Sequence, residues 1–219
     1  MSTSPLLSGP ERGPADGSQP QSLVIFAHGY GSNGADLIGL VPHLAPHLPH
    51  TRFLSPNAPE PCPGVPGGYQ WFPLTTISRE ERDRGCYQAA PVLARYIEAQ
   101  LQRFSLPPER LALVGFSQGT MMALHVGLRH APPLAGIVGF SGSLAAPGRL
   151  LDEMTARPPV LLVHGTADEV VPIWLMFEAY GALEALRVPV ERHVSQNTAH
   201  SIAADGLARA AEFLKRILA

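Results

Sequence analysis

The sequence predicts an α/β protein with a mostly parallel central sheet flanked by helices. Three observations predict it. Short apolar runs alternate with segments of helical periodicity, the rhythm of a parallel sheet with helical crossovers. One run, Pro159–Val163, is continuously apolar, as a strand covered on both faces is. The chain has 219 residues, 45% of them hydrophobic and 16% charged, which suits one globular domain with a full core.

The elements follow in order. Residues 1–21 are rich in Pro, Gly and Ser and read as a flexible tail, with one short edge strand near Leu6–Leu7. The tail lacks the charged start and apolar middle of a signal peptide. The domain proper is expected over 22–219, with strands near 23–27, 51–54, 111–115, 135–140, 159–164 and 188–194. Helical periodicity is clearest over 86–104, where Ala89, Leu93, Tyr96, Ile97, Leu101 and Phe104 share a face. It recurs over 202–218, through Leu207, Ala210, Leu214 and Ile217. Pro91 is expected in the first turn of its helix or at a kink. Residues 55–85 break the rhythm as a long proline-rich loop, with Tyr69, Trp71 and Phe72 near its end. Loops of this length are functional or disordered. The aromatics either line a pocket or pack the loop down. About twenty residues separate Phe140 from Pro159, too few for a helical lid domain, so a site at the strand ends stands open.

The most informative motif is Gly115-Phe116-Ser117-Gln118-Gly119, which reads G-x-S-x-G. It lies between the apolar strand Leu111–Val114 and a helical segment starting at Thr120. A sharp strand-to-helix turn lifts such a serine clear of the sheet, and the helix N-terminus points N–H groups at negative charge. This is the layout of a nucleophilic serine in an α/β-hydrolase. A plain helix-capping serine is the alternative.

A serine hydroxyl needs a base, and the base needs an orienting carboxylate. In α/β-hydrolases the order along the chain is Ser, then Asp or Glu, then His. Asp168 lies on the loop after the Pro159–Val163 strand, where such sheets place catalytic groups, with Glu169 as the rival acid. Pro172 opens the next helix. Of nine histidines, only His200 combines the required order with a loop directly after a strand. His43, His47, His50, His125 and His130 lie on helix or loop segments, His193 lies inside a strand, and His164 precedes the acid.

The tetrahedral intermediate of acyl transfer needs oxyanion donors. The first expected donor is the Gln118 N–H, one residue after the serine. The second is the N–H of Tyr30, in the glycine-rich loop His28-Gly29-Tyr30-Gly31-Ser32 after the first strand, with His28 bracing the loop. The same loop spells G-x-G-x-x-G over 29–34, a dinucleotide fingerprint. That reading requires an acid ending the second strand. The strand ends instead in Ser55-Pro56-Asn57, with Glu60 the first acid beyond.

A net charge of −2 gives no electrostatic case for nucleic acid or an anionic membrane surface. No apolar run is long enough to span a bilayer. Cys62 and Cys86 fit free thiols in a reducing cytoplasm, although a single bridge between them fits the sequence too. No zinc-site or redox cysteine pattern is present.

With these residues in place, the chain resembles the phospholipase/carboxylesterase family of α/β-hydrolases, which includes the acyl-protein thioesterases. The likeness runs from Ser22 to the C-terminus. It rests on H-G-Y-G-S-N-G at 28–34, P-N-A-P at 56–59, Q-W-F at 70–72, G-F-S-Q-G at 115–119, H-G-T-A-D-E-V-V-P at 164–172 and His200. The loops look closest to the bacterial esterase branch. The resemblance implies hydrolysis of carboxylic, thio- or lysophospholipid esters without metal or cofactor, in a family that often forms homodimers. It implies a triad of Ser117, Asp168 and His200, an oxyanion hole at Tyr30 and Gln118, and an acyl pocket at Trp71, Leu74, Met121 and Val171. The expected substrate is a small ester of short to medium chain length, with acyl-protein thioesterase or lysophospholipase activity on long chains as the alternative. A non-catalytic binding module would have lost a triad member. At two positions the sequence departs from the family's common pattern: Thr120 and Ala199 stand where many members have Gly.

Overall fold

The structure, a computed structural model, describes residues 7–76 and 78–219. Its strands are β1 (Glu11–Arg12), β2 (Ser22–Ala27), β3 (Thr51–Leu54), β4 (Glu60–Pro61), β5 (Tyr69–Gln70), β6 (Leu111–Phe116), β7 (Gly136–Phe140), β8 (Val160–Gly165) and β9 (Val190–Ser195). Its α-helices are α1 (Gly34–Ile38), α2 (Val41–Leu44), α3 (Arg79–Phe104), α4 (Gln118–Gly127), α5 (Leu150–Glu153), α6 (Trp174–Ala185) and α7 (Ala204–Leu218). The main sheet runs β1-β3-β2-β6-β7-β8-β9, and every pairing is parallel except β1 with β3. The predicted α/β-hydrolase sheet is therefore the observed one.

Side-chain alternation along the strands makes two cores. Leu23, Ile25, Leu111, Leu113, Ile137, Val160 and Leu162 point to the face covered by α3, α4 and α6. Val24, Phe26, Ala112, Val114, Val138, Phe140, Leu161 and Val163 point to the opposite face, against α1, α2 and α7. Residues of β2, β6, β7 and β8 are almost wholly buried, which explains their unbroken apolar reading.

Three local expectations change. The short edge strand forms at Glu11–Arg12 rather than near Leu7, and Leu6 lies outside the described residues. Glu11 is held there by Arg52 at 3.0 Å and Arg103 at 2.6 Å, and the adjoining chain by Ser55 N–H to Pro10 O at 3.0 Å. The long helix begins at Arg79, so Pro91 is an interior residue with its ring exposed, not a first-turn one. The start went unread because Arg79–Arg84 is polar and carries no apolar period. Ser78 caps it by accepting from the Glu81 N–H at 3.2 Å, a bond worth about 1 kcal/mol. Finally, the stretch read as one irregular loop over 55–85 contains the β4–β5 hairpin and the first turns of α3. Both cysteines are free and buried.

Glu81 ties the end of that loop to α3. Its carboxylate accepts from the N–H and hydroxyl groups of both Thr75 and Thr76. The Thr75 hydroxyl and the Thr76 and Thr75 N–H groups pull its pKa from the ordinary 4.5 to about 2. A lowered acid stabilises the fold fully above its unfolded value and loses that contribution as pH falls toward its folded value. Acidification from pH 4.5 to 2 should therefore loosen residues 74–76, read by amide hydrogen exchange. In Glu81→Gln the same amides should be less protected at neutral pH and lose their acid dependence.

The tightest point of the fold is Gly119, at the start of α4. A Cβ there would lie 1.8 Å from the Ala27 carbonyl oxygen and 2.8 Å from that of His28, both backbone atoms that cannot rotate away. Gly119→Ala should cost about 3 kcal/mol or more by urea denaturation. An unchanged midpoint would show that the turn has slack the packing denies.

Candidate active site

β6 ends at Phe116 and α4 begins at Gln118, so one residue makes the turn. Ser117 makes it with φ 54 and ψ −116, a conformation costing a non-glycine residue about 1–3 kcal/mol. Main-chain bonds hold it there. Its N–H donates to the Phe140 carbonyl at 2.9 Å, and its own carbonyl accepts from Thr120 N–H at 3.0 Å and Met121 N–H at 3.3 Å. Thr120, one of the two departures noted above, adds support: its hydroxyl donates to the same Phe140 carbonyl at 2.7 Å.

The acid and the imidazole come from the ends of neighbouring strands. β8 leads to Asp168 and β9 leads to His200, and the two loops are laced together. Ala167 N–H donates to Thr198 O at 2.9 Å, Thr166 N–H to Ser195 O at 3.0 Å, and Asn197 N–H to the Thr166 hydroxyl at 2.8 Å. The approach requires glycine at 165, where a Cβ would lie 2.1 Å from the Thr198 carbonyl oxygen. Ala199 is accommodated because the left-handed residue of this loop is Asn197, with φ 54.

His200 Nδ1 lies 2.8 Å from Asp168 Oδ2. The other carboxylate oxygen accepts from Val170 N–H at 3.0 Å and Val171 N–H at 2.8 Å. The Asp168 side chain has no solvent exposure, while that of His200 retains 19%. Burial alone would raise the Asp168 pKa, but His200 and the Val171 and Val170 N–H groups outweigh it and hold the carboxyl below its ordinary range. Because Nδ1 donates to the carboxylate, Nε2 is the nitrogen left to act as a base. The His200 ring packs on Phe116, the residue before Ser117, with centroids 4.8 Å apart. No hydrogen bond joins Ser117 to His200 among the described residues, and such contacts commonly tighten only around substrate.

The glycine-rich loop passes over the same turn: a Cβ on Gly29 would lie 3.3 Å from the Ser117 Cβ. Among the described residues, the N–H groups of Tyr30 and Gln118 have no acceptor. His28 is the brace expected of it. Its Nε2 accepts from Ala58 N–H at 2.9 Å, which puts the proton on Nδ1, 2.8 Å from the Gly29 carbonyl. Burial lowers its pKa and keeps it neutral.

The pocket residues expected from sequence are placed differently from one another. Trp71 and Met121 are each 1% exposed and Val171 3%, so they offer almost no surface to a ligand, and Leu74 is partly exposed. Trp71 packs its loop down instead. Its indole N–H donates to the His28 carbonyl at 3.0 Å, and its main-chain N–H to the Gln118 side chain at 2.9 Å. Gln118 Nε2 in turn donates to the Phe72 carbonyl at 2.8 Å. The exposed apolar side chains here are Tyr30 at 39%, Val170 at 52% and Trp174 at 56%. Sequence reasoning missed the clamping role of the Gln118 side chain, for which it held no signal. It also set aside His164, whose Nε2 lies 3.3 Å from Asp168 Oδ2; the i,i+4 spacing of His164 and Asp168 was the available hint.

Comparison with known proteins identifies the family and the fold. Residues 14–218 match the Phospholipase/Carboxylesterase family. The crystal structure of esterase PE8 superposes with a TM-score of 0.94 at 44% identity, covering 97% of this chain and 100% of that one. Acyl-protein thioesterase 1 of Schizosaccharomyces pombe is 31% identical over 159 residues, 69% of this chain and 70% of that protein. Acyl-protein thioesterase 1 of Saccharomyces cerevisiae is 29% identical over 214 residues, 90% of this chain and 93% of that protein. No helix among the described residues is long and apolar enough to cross a membrane. A match along nearly the whole domain, on a sheet whose strand ends carry these residues, makes the chain a member of the phospholipase/carboxylesterase family and a serine hydrolase of carboxylic esters.

Proposed function

We propose that this chain hydrolyses short- to medium-chain carboxylic esters through an acyl-enzyme on Ser117. The observation that carries the reading is the 2.8 Å contact between His200 and a fully buried Asp168 carboxylate, beside a serine held in the strained turn.

The chemistry follows from those positions. The Ser117 hydroxyl attacks the acyl carbon while His200 Nε2 takes its proton, and Asp168 stabilises the imidazolium. The negative oxygen of the tetrahedral adduct is received by the Tyr30 and Gln118 N–H groups, at the positive end of α4. Collapse breaks the ester bond, and the imidazolium returns its proton to the leaving alcohol. Water, deprotonated by the same nitrogen, then attacks the acyl-enzyme and releases acid and free serine.

Chain length is argued from burial. With Trp71, Met121 and Val171 closed into the fold, apolar contact for the acyl group falls to Leu74 and the rim side chains Tyr30, Val170 and Trp174. That surface suits a few carbons. The alternative, long-chain acyl-protein thioesterase or lysophospholipase activity, draws on the names of the two yeast relatives and on the exposed Trp174.

Ser117→Ala should lower kcat by a factor on the order of 10⁶ if the three residues act as a unit. A fluorophosphonate probe should label Ser117 and nothing else. Retained activity in that variant would overturn the assignment. On p-nitrophenyl esters of increasing acyl length, kcat/KM should rise up to about fourfold per buried methylene, about 0.8 kcal/mol each, and then fall. A profile still rising at long chains would transfer the assignment to the long-chain activity.

A further inference from the structure

We propose that His164 is a positioning residue for the catalytic carboxylate, holding the Val171 peptide whose N–H grips Asp168. The proposal rests on the triad reading above and adds to it a histidine that reading leaves idle.

His164 is the penultimate residue of β8, and its side chain is 1% exposed. Its Nε2 lies 2.7 Å from the Val171 carbonyl and 3.3 Å from Asp168 Oδ2. A carbonyl can only accept, so the proton sits on Nε2 and is donated to Val171, with Asp168 Oδ2 a close neighbour that takes no hydrogen bond from it. The result is a closed ring of contacts. Val171 gives its N–H to one oxygen of Asp168 and takes the His164 proton on its carbonyl, while His164 faces the other oxygen. A swing of the carboxylate about its Cβ–Cγ bond would pull Oδ1 off Val171, a peptide that His164 holds in place by its carbonyl.

The titratable groups facing His164 are Asp168 and His200. Burial, outweighing the Val171 carbonyl and Asp168, lowers the His164 pKa and keeps it neutral. It therefore contributes a dipole rather than a second positive charge beside His200. Its N–H dipole, 3.3 Å from Oδ2, offsets part of the charge that the carboxylate offers His200. Removing it frees the carboxylate to rotate and also makes it a stronger partner for protonated His200. The free base then becomes scarce at a higher pH.

The test compares His164→Leu, which fills the space without a donor, with His164→Gln, whose amide nitrogen reaches the same point. His164→Leu should lose up to about tenfold in kcat at unchanged KM, since the hydrogen bond that holds the Val171 peptide is at stake. The acid limb of its kcat/KM profile should also move to higher pH. His164→Gln should recover most of the rate and the original limb. A wild-type rate and limb in His164→Leu would overturn the proposal. So would equal losses in both variants with the limb unmoved, the signature of packing alone. Because a core substitution can unfold a protein, the tautomer is also read in the wild type by ¹⁵N-histidine NMR. Neutral His164 protonated on Nε2 is expected, and a proton on Nδ1 instead would overturn the proposal. Ser117→Ala assayed in parallel separates failure of the triad reading, which alone would leave that variant active.

Discussion

The Phe140 carbonyl is the point on which the site depends. It ends β7 and accepts from both the Ser117 N–H at 2.9 Å and the Thr120 hydroxyl at 2.7 Å. One acceptor thus fixes the strained residue and the first turn of the helix behind it. Strain at Ser117 would otherwise relax by letting the turn widen, and the hydroxyl would sink toward the sheet. Parallel pairing supplies the rest, because β6, β7 and β8 end at the same edge in register. The serine loop and the acid loop are therefore placed by the sheet before any side chain of the site makes contact.

Around that edge, polar side chains serve mainly to hold backbone. The Gln118 amide grips the 71–72 chain, His28 grips the 29 and 58 segments, and Trp71 returns a bond to the His28 carbonyl. The three segments that Gln118 and these side chains tie together, at 28–29, 58 and 71–72, carry no regular structure that would pair their own N–H and C=O groups. Buried loops need such partners, or they would leave main-chain groups unsatisfied at a cost of about 1–3 kcal/mol each. This explains why the aromatics of the proline-rich loop turn inward. Their burial fixes the position of the glycine-rich loop over the Ser117 turn.

Much of this was legible in the sequence, for identifiable reasons. The central strands could be read because burial on both faces leaves an unbroken apolar run, as in Val160–Val163. Ser117, Asp168 and His200 stood out because each follows a strand directly, so their order along the chain maps onto positions along one sheet edge. The start of α3 was hidden by a polar run whose helical character comes from a cap and from acids in the first turn, not from periodicity. The burial of Trp71, Met121 and Val171 was not legible because a side chain beside a site can equally face ligand or core, and only tertiary packing decides. His164 was passed over because order along the chain was the criterion, whereas its contact with Asp168 arises from a loop folding back on the strand that precedes it.

The chain holds two tryptophans, and the fold puts them in opposite surroundings: Trp71 sealed at 1% exposure beneath the oxyanion loop, Trp174 open at 56% on α6. They therefore form two separate optical channels. A water-soluble quencher reaches the Trp174 indole at once and the Trp71 indole only when the loop that it anchors lifts. Emission that survives quenching therefore reports, without any label, on the seal over Trp71.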